Sequence, residues 1–138
     1  MNAHLDHQAT DNLTRNQSLV FNALGDAEKP LGAYDLLDIL RGDGLRSPLQ
    51  IYRALDKLIG LGLVHRLESL NAFVACTHCG EQQHQSAAFT ICDLCGKVSE
   101  VEDPDLARRL AQMAARSGFR LEKSTIELRG TCAECQAA

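Results

Sequence analysis

Three helical stretches closed by a short hairpin, then a strand-rich segment ending in a second Cys-x-x-Cys pair, predict an α+β chain. The expected architecture is an N-terminal winged helix-turn-helix domain over residues 1–75, followed by a small α/β dimerisation domain over 76–138. The first helix opens on a capping box, Thr14 with Gln17, and runs to about Leu24, where Gly25 and Asp26 close it. After Pro30, the residues Ala33, Leu36, Leu37 and Leu40 recur at helical spacing and mark a second helix with one apolar stripe. Gly42-Asp43-Gly44 breaks the chain before a third helix from Pro48 to Ile59, with Ser47 as its cap.

That third helix has two unlike faces. Ile51, Ala54, Leu55 and Leu58 form the apolar side, whereas Gln50, Arg53 and Lys57 align opposite them. Such a polar face is ordinary for a solvated helix. Following two helices and preceding a hairpin, it is also what a recognition helix presents to the major groove, with Arg53 suited to a guanine edge and Tyr52 to a phosphate or a thymine methyl. The hairpin is read from Leu63–Arg66 and Ala72–Ala75, joined by a turn near Ser69 to Asn71.

Beyond Cys76 the pattern changes. Phe89–Ile91 and Lys97–Val101 read as strands, Pro104–Ser117 as a helix capped by Gly118, and Phe119–Leu128 as a strand region whose apolar parity flips near Ser124, implying a bulge or break there. So small a sheet has edges to cover, and a homodimer covers them.

Composition narrows the function classes. The chain has 138 residues, 45% of them apolar, and a formal charge of −4, which argues against a general polyanion binder while leaving specific DNA binding open. No apolar run approaches the ~20 residues needed to cross a bilayer, and the first residues lack a signal-peptide layout, so a cytoplasmic protein with no membrane partner is expected. Six cysteines in such a setting point to metal or redox chemistry rather than a disulfide framework. No Ser-His-Asp order, His-Glu-x-x-His helix or Gly-rich phosphate loop supports an enzyme or a small-molecule substrate.

Cys92-x-x-Cys95 and Cys132-x-x-Cys135 have metal-clip spacing, and four thiolates suit a closed, structural zinc site. A second arrangement is open on spacing alone: Cys76-x-x-Cys79 with Cys92-x-x-Cys95 as a zinc ribbon, leaving Cys132 and Cys135 free for redox work. Upstream, His65, Cys76, His78, Cys79 and His84, with Glu100, offer a mixed nitrogen, sulfur and oxygen set in which a thiolate favours zinc over iron(II) or manganese.

Four stretches, Ala33-Tyr34-Asp35-Leu36-Leu37-Asp38, Ile51-Tyr52-Arg53-Ala54-Leu55, Leu63-Val64-His65-Arg66-Leu67-Glu68-Ser69 and Phe89-Thr90-Ile91-Cys92-Asp93-Leu94-Cys95-Gly96, carry a resemblance. Over Leu13 to Cys135 the chain resembles the ferric uptake regulator family, and within it the zinc uptake regulators. The resemblance implies a dimeric repressor that binds double-stranded operator DNA when zinc is bound and controls zinc uptake genes. It implies two zinc ions per chain: a structural one on Cys92, Cys95, Cys132 and Cys135, and a regulatory one on His65, Cys76, His84 and Glu100. It also implies DNA contacts from the third helix, where Gln50, Tyr52, Arg53 and Lys57 lie. Iron, manganese and peroxide members typically carry a histidine-rich run before the first cysteine pair; here that stretch reads His84-Gln85-Ser86-Ala87-Ala88. A peroxide- or other-metal-responsive repressor is the alternative within the family. The chain departs from the family pattern in Arg15, where proline is usual, in Gln50, where threonine is common, and in the extra His78 and Cys79.

Overall fold

A computed structural model describes residues 12–76 and 86–137, in two compact units spanning 1–81 and 82–138. The first unit contains α1 (Arg15–Asp26), α2 (Ala33–Leu40), a 3-10 turn (Arg41–Asp43), α3 (Pro48–Gly60), β1 (Val64–Leu67) and β2 (Ala72–Ala75). Each long helix begins where its sequence offers a cap. Thr14 Oγ1 accepts the Gln17 N–H at 3.2 Å while Gln17 Oε1 accepts the Thr14 N–H at 3.1 Å.

Val20, Phe21 and Leu24 of α1, Leu36, Leu37 and Leu40 of α2, and Ile51, Leu55 and Leu58 of α3 close into one core, sealed by Leu63, Val64 and Phe73 from the hairpin. Each such side chain contributes about 1.5–3 kcal/mol through burial. β1 and β2 pair antiparallel with Val64 opposite Ala75 and Leu67 opposite Ala72. Leu31 adds a bridge on the other edge, exchanging both backbone hydrogen bonds with Phe73 at 2.8 and 3.1 Å. This is a winged helix.

The second unit contains β3 (Ser86–Cys92), β4 (Val98–Val101), α4 (Pro104–Arg116), β5 (Ser124–Gly130) and a helical turn, α5 (Ala133–Gln136). The sheet order is β4-β3-β5, with β4 antiparallel and β5 parallel to the central strand. Among the described residues of this unit, the buried side chains are Ala87, Ala88, Phe89, Ile91 and Cys92, all on β3. No helix among the described residues is long and apolar enough to cross a membrane.

Two of the strand starts that differ from the sequence expectation follow helix ends closed by glycine. β1 starts at Val64 rather than Leu63, and β5 at Ser124 rather than in a strand running from Phe119. Gly62 and Gly118 take left-handed φ values of 77° and 70°, closing the preceding helices. The next residue is then used by the helix end: the Leu63 N–H bonds the Leu58 carbonyl at 3.0 Å, and the Phe119 N–H bonds the Ala114 carbonyl at 2.9 Å. The apolar parity flip near Ser124 thus marks the start of β5, whose ladder with β3 runs without a bulge from Ser124 to Gly130.

Candidate metal centre and nucleic-acid interface

The four paired cysteines converge at one end of the second sheet. β3 ends at Cys92 and β5 at Gly130, so parallel pairing of Cys92 with Gly130 delivers the two clips side by side. The four sulfurs lie within 4.8 Å of one another, with Cys95 Sγ and Cys132 Sγ 3.7 Å apart. A tetrahedral zinc with Zn–S arms of about 2.3 Å holds its sulfurs about 3.8 Å apart, so donor type and spacing both fit that ion. The Cys95 and Cys132 N–H groups donate to Cys92 Sγ at 3.5 and 3.4 Å. As free thiols Cys92 and Cys135 are shifted in opposite directions. The N–H of Cys132, and after it that of Cys95, pulls Cys92 down to about 6, whereas hydrogen bonding of the Cys135 thiol to Cys132, and then to Cys92 and Cys95, pushes Cys135 up to about 12.

In the first unit, His65 on β1 and Cys76 just after β2 are both buried, and their ligand atoms lie within 4.8 Å of each other. The ladder explains this. The Cys76 N–H bonds the Leu63 carbonyl at 2.8 Å, continuing the hairpin by one pair, so that residues 63, 65, 74 and 76 share a face. A nitrogen and a sulfur set side by side are soft enough for zinc. Glu100 is half-buried on β4, in register with Phe89. His84, like His78 and Cys79, lies outside the described residues.

On α3, Tyr52, Arg53 and Lys57 are exposed on the face opposite the core. Gln50 is half-buried and differently engaged: its Oε1 accepts the N–H groups of Arg46 at 2.9 Å and Ser47 at 3.2 Å, while its own N–H donates to Ser47 Oγ at 3.4 Å. Gln50 therefore closes the start of the helix, with its carbonyl oxygen turned back to the cap. Ser47 and Gln50 form a second capping box, and the S-x-x-Q spacing that signals it is present in the sequence.

The chain matches the model of the ferric uptake regulator family over residues 13–129. It belongs to that family. The zinc uptake regulation protein of Escherichia coli (strain K12) is 39% identical to it over 124 residues, which is 89% of this chain and 72% of that protein. Among solved structures of the family, holo XcZur is 42% identical with a TM-score of 0.85, covering 96% of this chain and 95% of the other. A zinc uptake regulator complexed with zinc and DNA is 35% identical with a TM-score of 0.84, covering 96% and 89%.

Proposed function

We propose that this ferric uptake regulator family member is a zinc-responsive transcriptional repressor, a homodimer that binds double-stranded operator DNA when regulatory zinc is bound and controls zinc uptake genes. The observation that carries the metal choice is the buried His65 and Cys76 pair at the base of the wing, a nitrogen and sulfur set that suits zinc better than iron(II) or manganese. Its likeness to zinc uptake regulators, one of them solved with zinc and DNA, supports the same reading.

In this reading each chain takes two zinc ions. The structural ion sits on Cys92, Cys95, Cys132 and Cys135, where four thiolates leave no open position for a substrate; the family likeness makes the protein a regulator rather than an enzyme. The regulatory ion takes His65, Cys76, His84 and Glu100. Complete reversal between DNA-competent and incompetent populations needs ~5.5 kcal/mol of differential zinc affinity. Residues 1–75 carry the DNA contacts, with Arg53, Lys57 and Tyr52 facing the groove and Gln50 fixing the helix start. Residues 76–138 carry the dimer contact: β4 and β5 are sheet edges, and Met113, Phe119 and Leu128 are exposed. A cytoplasmic location goes with this function.

The test is a DNA-binding titration against buffered free zinc, with a zinc count on the same samples. His84→Ala should remain a folded dimer with one tightly bound zinc per chain and gain no operator affinity from added zinc. The regulatory assignment fails if its zinc dependence matches that of the unmutated protein.

A further inference from the structure

We infer that Arg129 and Lys97 are positioning residues for the four-cysteine clip, each tying one Cys-x-x-Cys pair to the other so that the sulfurs stay gathered while zinc exchanges. The inference rests on reading that clip as a zinc site. Its basis is a reciprocal pattern of ion pairs. Asp93, inside the first pair, accepts from Arg129 just upstream of the second: Nε at 3.0 Å and a terminal guanidinium nitrogen at 2.8 Å, both on one carboxylate oxygen. Glu134, inside the second pair, lies 3.8 Å from Nζ of Lys97, just downstream of the first. The Asp93 N–H also bonds the Gly130 carbonyl at 2.8 Å.

By contrast, Arg41–Asp38 and Arg108–Asp105 join neighbours on one helical turn or its end and constrain nothing beyond it. The clip pairs span 36 and 37 positions of sequence, so each adds a side-chain tie to a loop that the β3–β5 ladder also closes. Loss of the ion removes the link between the two clips, and the two cross-pairs oppose their separation. Both are solvent-accessible, with side chains 46–83% exposed, so their effect is modest and falls with salt.

The experiment uses the full-length, zinc-loaded protein. Release of the clip zinc to excess chelator is timed for the unmutated protein, Arg129→Met, Lys97→Met and the double variant, at low and high salt. Each single variant should release zinc about two- to fivefold faster, the double variant faster still, and high salt should accelerate the unmutated protein toward the double variant. In the cobalt-substituted protein, the ligand-field bands of the four-thiolate site should shift in the double variant, a readout that general destabilisation leaves alone. Exchanging the charges, with Asp93→Arg and Arg129→Asp together, should restore slow release relative to either change alone. Equal release rates in all variants, with unshifted cobalt bands, overturn the brace while leaving the zinc clip standing. A zinc count unchanged by Cys95→Ser overturns both.

Discussion

The two units reach stability by different routes. In the first, three helices and a hairpin bury Val20, Leu36, Leu45, Ile51, Leu55, Leu58 and Leu67 almost completely. Among the described residues of the second, burial is confined to the central strand, and no residue of α4 is buried although Leu106, Leu110 and Met113 stand at helical spacing. An apolar core closes the winged helix within its own chain. The sheet unit carries instead a cluster of thiols at one end and an apolar helix face that is half-buried at Leu106 and Leu110 and exposed at Met113.

If that contrast is right, metal loss should break one unit and spare the other. Cys95→Ser is expected to have the largest effect: loss of the clip zinc, an unfolded second unit and a monomeric chain, since structural zinc contributes ~10–16 kcal/mol of apparent folding free energy at such sites. The winged helix should keep its helical circular dichroism and its core amide protection. Cooperative loss of the helical signal together with the zinc would show that the first unit does not stand alone.

The converse change sharpens the same contrast. Leu55→Ala, in the fully buried centre of the first core, should cost about 2–5 kcal/mol in denaturant unfolding of that unit while the zinc count stays unchanged. Arg53→Ala, on the opposite face of the same helix, should leave unfolding as it was. It should weaken operator binding by about 1–3 kcal/mol if the guanidinium reads a base edge. An equal loss on random DNA would make it a phosphate contact instead. Smallest is Thr14→Ala, which removes the hydroxyl of the first capping box. A drop of about 1 kcal/mol is expected in unfolding of the first unit, with zinc release from the clip unaltered.

Local rules made much of this readable from the chain. Thr14 with Gln17, Pro48 after Ser47, and the Leu36, Leu37, Leu40 stripe are short-range signals, and each helix begins where they put it. The same is true of the two Cys-x-x-Cys clips, since ligand type and spacing are properties of a few neighbouring residues. Less legible were events in which one residue had two claims on it. Leu63 and Phe119 have strand-like side chains, yet their N–H groups close the preceding helices. Gln50 has the amide chemistry of side chains that read bases, yet its carbonyl oxygen serves the helix cap.

The winged helix, the identity of the candidate zinc donors and the polar face of α3 were legible in the chain because periodicity, capping and ligand chemistry act over a handful of residues. It took the fold to bring Cys92-x-x-Cys95 together with Cys132-x-x-Cys135, a meeting that spacing alone left open. The deciding feature is the parallel ladder of β3 with β5, in which Cys92 pairs with Gly130 and the second clip follows directly. Strand pairing across 38 positions is set by register and burial of the central strand, and neither is a property of any short stretch of the chain.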